Sequence, residues 1–305
     1  MSTKFLLSVI ARSETTKQSQ DCRASLAMTI HILVKPNKLL GQNFLKCRWV
    51  VDTLVGAANI TKEDTILEIG PGTGTLTRDL AKLAKKVIAV EKDQKLAENL
   101  SERLKKEGIT NTEIITGDIL KIFPEIAATY KLQPTSYKLV ANIPYYITGH
   151  LLKKLLEEWI RPHTIVLTIQ KEVAERIVAR DGKMSVLSLS IQAFGTPEII
   201  KIVPASCFEP EPQVDSAVLR ISGISDLFFT KNNLKPEDFF RIVRLGFSQK
   251  RKMLLNSLAS AVEDKKTLEE VLKSAKIPVK ARPEELSLEE WARLIFCINS
   301  PAKPN

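Results

Sequence analysis

Between Thr65 and Gln170 the chain alternates short runs rich in β-branched residues with longer stretches in which apolar positions recur every three or four residues. The short runs, at Thr65–Gly70, Val87–Glu91, Thr112–Thr116, Lys138–Asn142 and Thr164–Gln170, read as strands, and Leu76–Lys85, Gln94–Glu107 and His150–Trp159 read as helices. Strands and helices in strict alternation predict a parallel sheet with crossover helices, that is, a doubly wound α/β domain. Two further strand-like runs, Glu198–Val203 and Val214–Ile221, lie on either side of the turn-rich Phe208–Gln213, which predicts an antiparallel pair closing one sheet edge. Beyond Ile221 the pattern is helical only, over Pro236–Leu245, Lys250–Ser260, Thr267–Ala275 and Leu288–Ile298, with Pro278 and Pro283 as breakers. The expected organisation is a mostly parallel, seven-stranded, Rossmann-like α/β domain over residues 31–223 and a small all-helical domain over 224–305. Residues 1–30 read as an extension that is disordered or not native.

A chain of 305 residues suits one α/β domain of ordinary size with a smaller appendage. Hydrophobic residues at 44% and charged residues at 26% exclude a disordered or collagen-like chain. Lysine and arginine number 45 against 35 aspartate and glutamate, leaving +10, a surplus that favours a polyanion through counterion release but also fits a generic basic protein. Cys22, Cys47, Cys207 and Cys297 lie far apart with no C-x-x-C pair or nearby histidine, so free thiols in a reducing compartment and no metal site are expected. No apolar run approaches the ~20 residues of a membrane span, so a soluble, cytoplasmic protein is expected. Phe5–Ala11 is only minimally long for the apolar core of a signal peptide and ends abruptly at Arg12. Ala11–Thr29 has transit-peptide composition apart from Glu14 and Asp21, and an accidental extension ahead of a start at Met28 accounts for it better.

Glu68-Ile-Gly70-Pro-Gly72-Thr-Gly74 follows the first predicted strand and opens a helix, so the backbone there can approach a nucleotide-like cofactor without side-chain obstruction. Glu91 ends the next strand about twenty residues later, suited to accept hydrogen bonds from two ribose hydroxyls. A dinucleotide fingerprint wants glycine three residues beyond Gly72, and Thr75 stands there instead. The E-x-G-x-G-x-G spacing matches an S-adenosylmethionine site. Asp118, after the third strand, reads either as an acceptor for the cofactor's exocyclic adenine amine or as a helix N-cap.

Asn142-Ile143-Pro144-Tyr145 lies at the carboxyl end of the fourth strand, the edge at which open α/β sheets bind ligands. The lone pair of an adenine exocyclic amine is delocalised into the ring, and it becomes nucleophilic only when both N–H groups are held out of conjugation. Two acceptors are needed, and the Asn142 side-chain oxygen and the Ile143 carbonyl supply them, with Pro144 restricting the chain. Tyr145 offers an aromatic face to an extruded base. An ordinary strand-to-loop turn with packed tyrosines is the competing reading of the tetrapeptide on its own.

From about Lys35 to Ile298 the chain resembles the ribosomal RNA adenine dimethyltransferase family. Gly41-Gln-Asn43-Phe-Leu45 is similar to the family's opening motif, which implies that Asn43 and Leu45 line the cofactor. Gly70, Glu91, Asp118 and Asn142 fall on its other cofactor positions, and Gly72 of the glycine-rich turn is counted with them as cofactor-binding. Phe208-Glu-Pro-Glu-Pro-Gln-Val-Asp215-Ser-Ala217 resembles its target-binding loop, implying that Phe208 clamps the base opposite Tyr145. Gln170–Arg176, Val214–Ala217 and Phe247–Lys252 resemble the branch that dimethylates two adjacent adenosines near the 3′ end of small-subunit RNA. Leu39, Leu40 and Lys46-Cys47 depart from the usual pattern around the opening motif. The resemblance implies a monomer acting on small-subunit rRNA or an assembly intermediate. Arg241, Arg244, Lys250, Arg251 and Lys252 then read as contacts to RNA phosphates, and otherwise as a solvated helix face. The alternatives are a large-subunit methyltransferase of the macrolide-resistance type and a non-catalytic relative that assists transcription in organelles.

Overall fold

The computed structural model describes residues 41–180, 182–249, 252–259, 262 and 265–299. The expectations for residues 1–30 and for Lys250 and Arg251 fall outside them. The chain divides into Met1–Gln42 and Asn43–Asn305, and every strand and helix described lies in the second unit.

The strands are β1 (Phe44–Leu45), β2 (Thr65–Ile69), β3 (Lys86–Glu91), β4 (Thr112–Thr116), β5 (Tyr137–Asn142), β6 (Thr164–Gln170), β7 (Thr196–Val203), β8 (Phe208–Glu209) and β9 (Ser216–Ser222). Seven of them form one sheet in the order β4-β3-β2-β5-β6-β9-β7. All pairs from β4 to β6 are parallel, whereas β9 runs antiparallel to both β6 and β7. The expected doubly wound sheet with an antiparallel edge is therefore present. The chain order reverses between β2 and β5, so the carboxyl ends of those two strands flank the crevice where such sheets take ligands.

Side chains alternate between two apolar layers, as the two-residue period of a strand requires. Leu67, Ile88, Leu139 and Leu167 face one layer, while Ile66, Val87, Val140 and Val166 face the other. The first layer is covered by helices Ile119–Thr129, Lys171–Val178 and Val186–Gln192, the second by Arg48–Ala58 and Thr75–Leu83. With both faces covered, the central strands read as nearly continuous apolar runs.

Beyond Gly223 the architecture is helical, with Pro236–Gly246, Lys265–Ser274 and Leu288–Asn299 as the longest elements. The helix expected over 250–260 is described only as the turn Leu254–Ser257. The first apolar layer continues into these helices through Phe194, Phe229, Phe239 and Phe240. Trp291 is fully buried, stacks on Phe247 at 5.8 Å and leaves no room for a side chain at residue 246. A Cβ there would stand 2.4 Å from the Trp291 ring. Gly246→Ala is expected to destabilise the protein by about 1–3 kcal/mol through overpacking. Thermal denaturation checks this, and an unchanged melting temperature would contradict it.

Candidate functional site

The loop after β2 is shaped by glycine. Gly70, Gly72 and Gly74 all have positive φ, and a Cβ on Gly72 would stand 2.9 Å from the Phe44 ring. The turn is tied to its neighbours by Gly70 N–H to the Val90 carbonyl (2.9 Å) and Gly74 N–H to the Pro71 carbonyl (2.8 Å). Helix Thr75–Leu83 starts directly from it.

Glu91, at the end of β3, is buried, and its carboxylate accepts one bond from Gly72 N–H (3.0 Å) and another from Asp93 N–H (2.9 Å). Each oxygen thus accepts a backbone N–H. Burial raises the pKa of this carboxyl, and the Asp93 and Gly72 amides oppose the rise. Glu68 is buried completely, and its Oε2 has no hydrogen-bond partner. Burial pushes Glu68 up to about 8, with the Thr77 side chain opposing the rise and the charge of Glu91 adding a smaller part to it. The motif spacing singled out Glu91; nothing in it marked Glu68 as a group that stays protonated near neutrality.

Asp118 caps helix Ile119–Thr129 by accepting from Leu120 N–H (3.1 Å), so the capping reading is realised. Its other oxygen receives Lys92 Nζ at 2.9 Å. Burial tends to raise the Asp118 pKa, but Lys92 and the Leu120 amide outweigh it, and the carboxyl stays ionised below its ordinary range. A second donor at Asp118 must share an oxygen with one of these two.

Asn142 ends β5 at the sheet's carboxyl edge. Its Nδ2 donates to the Asn43 carbonyl at 2.9 Å, which turns Oδ1 to the opposite side as the acceptor. Ile143 anchors its side chain in the core, and Pro144 leads into a 3₁₀ turn, Tyr145–Ile147. Tyr145 is half-buried, with its phenol oxygen 2.6 Å from Ser216 Oγ. Burial and the charge of Asp215 push its phenol up, so it remains neutral.

The opening motif does not lie alone. β1 pairs antiparallel with β8 in a separate two-stranded ribbon, Leu45 opposite Phe208 and Phe44 opposite Glu209. Lys46 N–H bonds the Cys207 carbonyl (2.8 Å), and Lys46 Nζ pairs with Glu209 (3.3 Å). Cys47 and Cys207 form a disulfide, which corrects the expectation of free thiols for these two; Cys297 is free. The pair is 160 residues apart in sequence, and the ribbon and the second apolar layer bring it together.

Phe208 lies in this same ribbon, at β8. Its ring is fully buried in the second apolar layer among residues such as Leu45, Val203 and Val218, because an aromatic side chain loses more by facing water than by packing there. As placed, it shows no face to a base.

Arg241 and Arg244 lie on the exposed side of helix Pro236–Gly246, but each has an acidic neighbour: Asp238 at 3.2 Å and Glu157 at 3.4 Å. Lys252 is exposed. Among the described residues no cluster of His, Cys, Asp or Glu could hold a metal ion, and no helix is long and apolar enough to cross a membrane.

The family model for ribosomal RNA adenine dimethylase matches residues 34–300. A ribosomal RNA small subunit methyltransferase A of Dehalococcoides mccartyi is 41% identical over 272 residues, covering 89% of this chain and 90% of the relative. The crystal structure of a dimethyladenosine transferase from Plasmodium falciparum superposes with a TM-score of 0.70 at 29% identity, covering 82% of this chain and 95% of the other. That of a 23S rRNA methyltransferase gives a TM-score of 0.65 at 26% identity, covering 85% and 100%.

Glu68 generates a pH test. Its pKa in the folded protein, about 8, lies above the ordinary 4.5, so the folded state holds a proton that the unfolded chain has already released. That contribution to stability is full below the ordinary value, is lost as pH rises and levels off above the folded value. Glu68→Gln should therefore gain melting temperature relative to the wild type between about pH 5 and 8. Parallel melting profiles for the two proteins would sink the assignment.

Proposed function

The chain belongs to the ribosomal RNA adenine dimethylase family, and from that premise we propose that it dimethylates N6 of two adjacent adenosines near the 3′ end of small-subunit rRNA during subunit assembly. The observation that carries the reading is the Asn142 amide, held by its own donor on the Asn43 carbonyl so that its oxygen is the acceptor presented at the sheet edge.

The donor set fits S-adenosylmethionine. Gly70 leaves backbone open to a ligand, Gly72 N–H holds the Glu91 carboxylate, Glu91 offers that carboxylate to a diol, and Asp118 offers an acceptor for an adenine amine. Asn43, Leu45 and Asn142 complete the wall. When bound, the cofactor supplies an electrophilic methyl group on a sulfonium.

The protein's part is alignment. Asn142 Oδ1 and the Ile143 carbonyl accept the two N–H groups of the target amine, which localises its lone pair for attack. Tyr145 stacks against the ring, an interaction of ~1–3 kcal/mol per base. The attacked amine becomes cationic and acidic enough to lose its proton to water, so no strong base is required. Most of the acceleration comes from holding amine and methyl in line. Phe208 joins the stack only if its ring leaves the second apolar layer, in which it is fully buried. RNA phosphates reaching Arg241 and Arg244 compete with Asp238 and Glu157; Lys250, Arg251 and Lys252 extend the same basic stretch.

The large-subunit reading shares the fold at 26% identity, whereas the 41% identical relative is named for the small subunit. Purified protein should transfer labelled methyl groups to under-methylated small subunits and not to large-subunit RNA; the reverse pattern would overturn the target. Asn142→Ala should lower that transfer by ~10²–10³-fold, as loss of a preorganised polar contact does. Wild-type turnover in this variant would defeat the role given to Asn142.

A further inference from the structure

Ser216 takes no part in the chemistry above, yet it is fully buried beside the reacting aromatic, its hydroxyl 2.6 Å from the Tyr145 phenol oxygen. We propose that Ser216 is a positioning residue that sets the plane of the Tyr145 ring against which the target adenine is held. The inference rests on the stacking role given to Tyr145.

Tyr145 needs such a tether. It stands at the very start of the helical run that continues into Thr148–Lys153, and the next residue, Tyr146, is 59% exposed. A tyrosine ring pivots about two side-chain torsions, and a hydrogen bond at the far end of the ring restricts both. Ser216 is a firm anchor because it opens β9 between two strands, opposite Gln170 of β6 and Val203 of β7. The preceding residue is tied from both sides: the Asp215 carbonyl accepts Lys171 N–H (3.0 Å), and its carboxylate accepts Ala205 N–H (3.0 Å). The Tyr145 phenol also keeps its proton, so the bond persists across the neutral range.

The test is a double-mutant cycle on methylation of under-methylated small subunits, with Ser216→Ala, Tyr145→Phe and the double variant. Each single variant should lower kcat by about 3–10-fold, the scale of one hydrogen bond, with KM for the cofactor unchanged. At matched turnover, N6-monomethyladenosine should accumulate relative to the dimethylated product, a shift that general loss of stability would not cause. The double variant should be no worse than either single one. Independent, multiplying losses would overturn the proposal, and so would a wild-type kcat in Ser216→Ala. If Ser216→Ala does not fold, Tyr145→Phe decides alone: an unchanged kcat and product ratio overturn it. Tyr145→Ala separates the two layers. Wild-type turnover there means that the stacking reading has failed, whereas a large loss there combined with unaffected Ser216→Ala and Tyr145→Phe removes only the positioning role.

Discussion

The site depends on one hydrogen bond between distant parts of the chain, from Asn142 Nδ2 to the Asn43 carbonyl. An amide can turn over and exchange acceptor for donor, and an amine cannot be activated by a donor. The bond removes that freedom, provided that residue 43 is itself fixed. It is fixed from the C-terminal side: Phe44 and Leu45 pair with β8, Lys46 bonds Cys207 and Glu209, and Cys47 is joined covalently to Cys207. The segment after β7 therefore holds the N-terminal motif, which in turn aims the residue at the end of β5.

The same economy runs through the crevice beside it. Glu91 uses its carboxylate to hold Gly72 and Asp93, so the group suited to a cofactor's ribose is also the group that shapes the glycine loop. Glu68 is protonated near neutrality chiefly because it is fully buried, with the charge of Glu91 adding to the rise. Lys92 neutralises Asp118 at the other end. Asp118 is thus matched by a cation, whereas Glu91 is held by backbone N–H groups.

The sheet was legible because central parallel strands are apolar on both faces, and all seven main strands fall within a few residues of their expected positions. Helix Arg48–Ala58 was not legible from periodicity, and neither was Ile119–Thr129, which carries Pro124 within it. The ribbon of β1 and β8 offers no pattern, since two residues per strand are too few for any period to show. The disulfide and the burial of Phe208 follow from that ribbon, so they were hidden with it. At the site, Glu91, Asn142 and Tyr145 stand out by residue type at a strand end. Ser216 and Glu68 matter through what surrounds them, and a one-dimensional reading does not contain their surroundings.

The central claim is the direction in which the Asn142 amide points, and a structure of the protein with S-adenosylhomocysteine and an adenosine-containing RNA fragment measures it most directly. The account predicts adenine N6 within hydrogen-bond reach of both Asn142 Oδ1 and the Ile143 carbonyl, with Nδ2 still on the Asn43 carbonyl. An adenine amine bound elsewhere, or an Asn142 amide released from Asn43 and turned with its nitrogen toward the base, would contradict it.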